Sequence, residues 1–166
     1  MGQIMQREIE RKFLLTNDWK DRIKKYAVDK NLIRQGYLKL SDPVVRVRTF
    51  NNIGKLTIKG NPTDGELGVD EYEYTIPYVD AINMLLTLCD RELWKTRYSV
   101  FICGKIWEID EFLGDNKGLI FCEVELDSED EFLDLPNFIG KEVTGNERFY
   151  NNWIINNPIG ETNEND

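Results

Sequence analysis

The chain has 166 residues, of which 41% are hydrophobic and 31% charged, as expected for one soluble globular domain with its own core. It contains no histidine, which excludes Ser-His-Asp and Cys-His triads and histidine-ligated zinc and leaves catalysis to carboxylates, amines, phenols or metals. The formal net charge of −9, with no basic patch, argues against nucleic-acid binding on an open surface.

In chain order, the sequence predicts strands over about 5–15, 32–41, 43–50, 53–60, 68–77, 91–103, 104–113 and 119–127. Turn signals separate several of them: Ser41-Asp42-Pro43, Asn51-Asn52-Ile53-Gly54, the stretch 60–65, and Gly114-Asp115-Asn116-Lys117-Gly118, with Cys103-Gly104-Lys105 as a tight hairpin. Such short loops imply antiparallel pairing. Helical spacing follows Asn17-Asp18, through Trp19, Ile23, Tyr26 and Ala27, and again after Pro77, through Val79, Ile82, Leu85 and Leu86. Residues 128–134 read as a short acidic helix, and Phe149, Tyr150, Trp153 and Ile154 as a last helix on the barrel. One domain over 1–157 and a disordered polar tail over 158–166 are expected. No apolar run approaches the ~18 residues of a membrane span, and residues 1–8 lack the apolar stretch of a signal peptide. Cys89, Cys103 and Cys122 read as buried thiols, so a cytoplasmic protein without membrane contact is expected.

The informative pattern is local. Residues i and i+2 of a strand share a face. Glu8, Glu10 and Lys12 share one, as do Arg46 and Arg48, Glu71 and Glu73, Lys95 and Arg97, Glu108 and Asp110, and Glu123 and Glu125, while Lys59 closes Leu56-Thr57-Ile58-Lys59. A solvated outer face is the plain explanation for any one strand. Yet Ile9, Val47, Tyr72, Thr96, Ile109 and Val124 lie between the charges and need cover, which amphipathic helices can give. The predicted fold is therefore α+β: an eight-stranded antiparallel β-barrel with helices packed outside and charged faces inside. Two carboxylates ~5 Å apart repel by about 3 kcal/mol at an effective dielectric of ~20, so paired acids raise their pKa values or recruit a cation. Dense carboxylate oxygens suit Mg²⁺ or Mn²⁺, and Arg-x-Arg and Lys-x-Arg pairs suit phosphate. The acid that sets the net charge is concentrated elsewhere, at 127–134 and in the tail, so −9 does not preclude a confined basic site.

The ExExK run Glu8-Ile9-Glu10-Arg11-Lys12 resembles the signature of the CYTH superfamily, the triphosphate tunnel metalloenzymes. Further matches follow in family order: Gln35-Gly36-Tyr37-Leu38, Arg46-Val47-Arg48, Thr57-Ile58-Lys59, Glu71-Tyr72-Glu73, Lys95-Thr96-Arg97-Tyr98, Glu108-Ile109-Asp110, Glu123-Val124-Glu125, and Glu142-Val143-Thr144-Gly145 with Arg148. The chain departs from the pattern at Val69, where similar sequences often carry a base. The resemblance implies an eight-stranded tunnel that takes a triphosphate with divalent metal, and is strongest to small bacterial inorganic tripolyphosphatases. Class IV adenylate cyclases, making cyclic AMP from ATP, and a non-catalytic polyphosphate binder are the alternatives. On this resemblance Glu8, Glu10, Glu123 and Glu125 bind the metal, with Asp110 as a further ligand or, with Glu108, an orienter of bases. Lys12, Arg46, Arg48, Lys59, Arg97 and Arg148 grip phosphate. Lys95 grips phosphate or positions water, Glu71 and Glu73 hold a second metal or activate water, and Tyr37 covers the tunnel mouth or lies in the core. The expected partner is a small polyanion, either tripolyphosphate or a nucleoside or thiamine triphosphate; a homodimer is left open.

Overall fold

The structure is a computed structural model, and it describes residues 6–61 and 68–159. The expected disorder of the tail thus falls mostly outside the described residues. Nine strands are present: β1 (Gln6–Leu15), β2 (Val28–Lys39), β3 (Val44–Phe50), β4 (Ile53–Lys59), β5 (Val69–Ile76), β6 (Glu92–Ile102), β7 (Lys105–Phe112), β8 (Ile120–Leu126) and β9 (Ile139–Glu142). The first eight match the predicted strands within a few residues. They pair antiparallel in the order β5-β4-β3-β2-β6-β7-β8-β1, and β1 returns to β5, so the sheet closes into a barrel.

β1 makes the closure by dividing its pairing. One edge runs along β8, from Ile9 opposite Leu126 to Phe13 opposite Cys122. The other edge pairs first with β5, where Glu8 faces Val69, and further on with β9, where Phe13 faces Glu142 and Leu15 faces Ile139. Two hairpin tips depend on left-handed backbone: Asn51 and Asn52 (φ 48 and 60) between β3 and β4, and Cys103 and Gly104 (φ 53 and 76) between β6 and β7. Such two-residue turns match the right-handed twist of the strands.

Alternation puts the apolar partners of the charged residues outside. Ile9, Phe13, Val100, Trp107, Ile109, Cys122, Val124 and Leu126 form the main outer core, covered by α1 (Trp19–Ile23) and by Leu133 and Phe138 of the loop before β9. Val47 is covered by Ala81 and Leu85 of α2 (Tyr78–Thr87). A third apolar cluster lies within the barrel at one end. Tyr37, Leu93, Phe112 and Phe121, from the inward faces of β2, β6, β7 and β8, meet Ile154 and Ile155 at α3 (Asn151–Ile154). The C-terminal segment thereby closes one end and leaves a cup with an apolar floor.

Four expectations need correction. Residues 128–134 form turns and irregular chain, not a helix: the Glu131 carboxylate accepts the Asp127 N–H, and the extended path delivers Leu133 and Phe138 to the core. α1 ends at Ile23, because Val28 is already paired with Val100 in β2. Tyr72 is not covered but 38% exposed, since α2 reaches only β3 and β4 closely. Of the cysteines, all free, only Cys122 is buried; Cys103 sits exposed at a hairpin tip and Cys89 is intermediate. Among the described residues no helix is long and apolar enough to cross a membrane.

The contact of α2 with β4 depends on Gly54. A Cβ there would stand 2.6 Å from Ala81 Cβ and 2.8 Å from Ile76 Cγ1. Gly54→Ala is expected to lower unfolding stability by about 1–3 kcal/mol through overpacking. Gly60→Ala, whose Cβ would meet nothing closer than Asp70 O at 3.7 Å, should change it far less. Denaturant unfolding of the two variants checks the difference.

Candidate active site

The register of the barrel places the predicted site residues on one interior surface. Gln35 faces Arg48 and Tyr37 faces Arg46 between β2 and β3. Arg48 faces Lys55, and Arg46 faces Thr57, between β3 and β4. Thr57 faces Glu73 and Lys59 faces Glu71 across β4 and β5. On the other wall Arg97 faces Asp110, Glu108 faces Glu123, and Glu123 and Glu125 face Lys12 and Glu10. Ion pairs also reach past the neighbouring strand: Lys59 of β4 contacts Glu8 of β1, and Arg97 of β6 reaches Glu123 of β8 at 3.5 Å.

The deepest polar layer rests on the apolar floor. Lys12 pairs with Glu123 at 2.9 Å, donates to the Phe149 carbonyl at 2.8 Å, and lies over the Phe121 ring. The C-terminal motif supports it from behind. The Lys12 N–H donates to Thr144 Oγ1 and the Val143 N–H to the Lys12 carbonyl, while Arg11 grips Glu142 through two hydrogen bonds. Lys95, 1% exposed, donates to Asp110 Oδ2 at 2.6 Å, and Arg97 takes both oxygens of the same carboxylate at 2.7 and 2.8 Å.

Asp110 is therefore not placed as a metal ligand. It is wholly buried and both its oxygens are committed to bases. Burial raises its pKa, but Arg97 and Lys95 outweigh that and hold it below the usual range. Removing such an anchor would leave two cations buried without a counter-charge, which costs about 3–5 kcal/mol in comparable cases. Glu73 is likewise spoken for: it lies 3.1 Å from Arg48, 3.2 Å from Lys55 and 3.2 Å from the donating Thr57 hydroxyl. In this structure Glu73 is therefore held in salt bridges to the barrel's own bases. Tyr37 is in the floor and not at the mouth, with burial pushing its phenol pKa up. Arg148 is exposed in the 3-10 turn Glu147–Phe149, outside the barrel's polar interior.

Three interior residues were missed. Lys55 shares the face of Thr57 and Lys59, a spacing already visible in Lys55-x-Thr57-x-Lys59. Thr57 itself bridges Arg46 and Glu73 by hydrogen bonds. Gln35 is fully buried beside Tyr37; it lies two residues before Tyr37 in the Gln35-Gly36-Tyr37-Leu38 match, so strand alternation already places it on the face of Tyr37.

Charge is unevenly distributed along the interior. Burial and the neighbouring Glu123, opposed by Lys59 and Lys12, push Glu10 up to about 7. Glu8 and Glu125 are also raised, chiefly by burial, with added repulsion from Glu71 and from Glu8 and Glu108 respectively. Burial also raises Glu123, but Lys12, Arg97 and Lys95 together hold it low. On the basic side burial draws Lys95 down to about 8, against the pull of Asp110, and burial with Arg46 and Arg97 draws Arg48 down to about 10. The mismatch shows in hydrogen bonding. Arg46 Nε and Arg48 Nε are buried donors without acceptors, while Glu8 Oε2 and Glu71 Oε2 are buried acceptors without hydrogen-bond donors. Lys59 is ion-paired with both acids but does not complete a hydrogen bond to those oxygens.

Among the described residues no three acid, cysteine or histidine side chains converge closely enough to hold a metal already. The donor set nevertheless fits a hard divalent cation. Glu8, Glu10 and Glu125 are carboxylates on adjoining strands, all with raised pKa values, and Glu8 carries an unsatisfied oxygen. Glu123 could join only by releasing Lys12.

A family model described as CYTH domain matches residues 6–150. An inorganic triphosphatase of Acetivibrio thermocellus is 42% identical over 158 residues, covering 93% of this chain and 96% of the relative. An inorganic triphosphatase of Nitrosomonas europaea is 35% identical over 150 residues, covering 87% and 93%. A solved inorganic triphosphatase structure aligns with TM-score 0.63 at 31% identity, covering 93% of this chain and 97% of the other. A Hippeastrum putative adenylyl cyclase with a dominant triphosphatase activity shares the fold at 17% identity and TM-score 0.57.

The raised carboxylates fix the sign of a pH dependence. Glu10 has an ordinary value of 4.5 and a folded value of about 7, so its contribution to stability is full below 4.5 and lost as pH rises through 7. Glu8 and Glu125 act in the same sense. The metal-free protein is expected to melt several degrees lower at about pH 7.5 than at about pH 5.5, and Mg²⁺ or Mn²⁺ to remove most of that fall. Thermal unfolding with chelator and with metal at the two pH values checks both.

Proposed function

The chain belongs to the CYTH domain family, and we propose that it hydrolyses a terminal anhydride bond of inorganic tripolyphosphate with the help of Mg²⁺ or Mn²⁺. The observation that carries this reading is the separated set of unsatisfied groups. Guanidinium donors without acceptors lie on β3, and carboxylate oxygens without hydrogen-bond donors lie on β1 and β5. A buried polar group left unmatched costs about 1–3 kcal/mol, more when charged. A polyanion supplies acceptors to the first set and a divalent cation supplies positive charge to the second. The names of the two relatives, both covered nearly end to end, support tripolyphosphate over a nucleotide.

Glu8, Glu10 and Glu125 would hold the cation. When bound, it neutralises phosphate charge and polarises the phosphoryl group under attack. The remaining work falls to the chain's own side chains. Arg46, Arg48, Lys59 and Lys55 line one wall, and Lys12, Lys95 and Arg97 the other, so phosphate oxygens are gripped from both sides and held in line. Asp110 fixes Lys95 Nζ and the Arg97 fork, so these donors need no rearrangement when charge shifts toward the leaving group. With its pKa drawn down to about 8, Lys95 is neutral in a fraction of molecules near neutral pH, and in that form Nζ takes the proton of the attacking water and becomes ammonium, while Lys12 and Arg97 keep their grip on phosphate. The apolar floor of Phe112, Phe121, Ile154 and Ile155 keeps bulk water from the far end.

Phosphate release from tripolyphosphate with Mg²⁺ or Mn²⁺ tests the reading. Turnover is expected with metal, with loss on chelation, and Arg48→Ala is expected to lower kcat/KM about 10–100-fold by removing charged contacts to phosphate. Undiminished turnover with chelator, or cyclic AMP from ATP without free phosphate, contradicts it.

A further inference from the structure

One buried polar side chain of the interior has no place in the account so far. Gln35 is fully buried on β2, directly across from Arg48 on one side and from Leu93 on the other. Its Nε2 donates to the Tyr37 hydroxyl at 3.1 Å, and its Oε1 has no partner. The next residue facing inward on β2 is Tyr37, across from Arg46. Its ring is set among Leu93, Phe112, Phe121, Ile154 and Ile155, none of which offers a side-chain acceptor for the phenol proton. So in this arrangement the carboxamide oxygen lacks a donor, and among the described residues no hydrogen bond donated by the phenol is present.

Reversing the carboxamide answers both at once. Tyr37 then donates to Oε1, and both N–H groups of Nε2 are released. Those donors need an acceptor, and the cross-strand neighbours Arg46 and Arg48 offer only more donors, with Nε of each already unmatched. Whichever way the amide points, one end of Gln35 is left without a partner among the described residues. Four donors pooled at one level are completed by an anion's oxygens, and an anion selects the reversed amide. The phenol also feels Arg46, Lys59 and Lys12, which places this corner at the cationic end of the cup.

Building on the tripolyphosphate reading, we propose that Gln35 is a phosphate-contacting and positioning residue. When phosphate enters, its carboxamide turns, so that Nε2 donates to a phosphoryl oxygen shared with Arg46 and Arg48. Oε1 meanwhile accepts the Tyr37 proton and pins the ring to the floor. The empty and loaded cups thus differ in the direction of one amide.

The test compares the parent with Gln35→Met, Gln35→Glu, Tyr37→Phe and the Gln35→Met/Tyr37→Phe pair. Two quantities are read: kcat and KM for tripolyphosphate with Mg²⁺, and the rise in melting temperature on adding tripolyphosphate. Gln35→Met is expected to lose about tenfold or more in kcat/KM while melting no lower than the parent, because it removes a polar atom that the protein leaves unmatched. Gln35→Glu can still accept from Tyr37 but sets a negative charge against phosphate, so KM should rise further. The double variant should fall within about twofold of Gln35→Met, since the two side chains act as one unit. A Gln35→Met protein within about twofold of the parent in kcat/KM overturns the proposal. So does a loss that tracks a lowered melting temperature while Gln35→Glu keeps the parental KM, or single effects that simply multiply. A parent that is stabilised by tripolyphosphate but inert toward it overturns the hydrolase reading alone. In that case equal stabilisation of the parent and Gln35→Met overturns the role of Gln35. A parent neither active nor stabilised overturns both.

Discussion

The closure of β1 against both β8 and β5 is the constraint on which the rest depends. It brings Glu8 and Glu10, from one end of the chain, to Glu123 and Glu125 of β8 and to Glu71 of β5. Without that closure the same side chains would lie on an open, solvated sheet, where each charge is screened and cheap. Inside the barrel the deepest of these groups, Lys95, Asp110 and Glu123, are nearly stripped of water and the effective dielectric is lower, so an unmatched charge is costly there. The interior settles part of its charge internally. Asp110 satisfies Lys95 and Arg97, and Glu73 gathers Arg48, Lys55 and Thr57. What is left, the raised carboxylates of Glu8 and Glu10 on β1 and the Nε donors of Arg46 and Arg48 on β3, is what a bound cation and anion would complete.

Lys12 shows how fold and site are coupled. Its backbone is held by Val143 and Thr144, and its ammonium by Glu123, the Phe149 carbonyl and the faces of the Phe121 and Tyr150 rings. The C-terminal segment therefore does two things at once. It closes the cup with Ile154 and Ile155, and it fixes the direction of the ion at the end of the ExExK run. Val69, the departure from the family pattern, falls opposite Glu8 at the closing seam, where the base paired with that acid is Lys59 of β4.

Much of this was legible in the sequence, and for one reason. A period-2 alternation of charged and apolar residues, repeated on strand after strand, is informative whenever both faces have to be covered. It located eight strands and put their charges inside. It could not reveal which acid meets which base, because that depends on register and on contacts across the barrel. Asp110 and Glu125 carry the same charge at comparable spacing. One is saturated by Lys95 and Arg97, and the other is raised by burial and by Glu8 and Glu108. Residues 128–134 failed for a different reason: the acidic run had helical composition, but Leu133 and Phe138 gained more from reaching the core. β9, four residues long, is too short for alternation to detect, and Gln35, uncharged, could be found only from its place two residues before Tyr37.

The central claim is that this interior is completed by a cation on the β1 and β8 acids and a polyphosphate on the β3 arginines. Crystals containing Mn²⁺ and tripolyphosphate test it most directly, because anomalous scattering locates the metal independently of the phosphates. The account predicts manganese against Glu8, Glu10 and Glu125, with phosphate oxygens on Arg46 and Arg48 within the barrel. Manganese bound at Asp110, or phosphate seated outside the barrel, would contradict it.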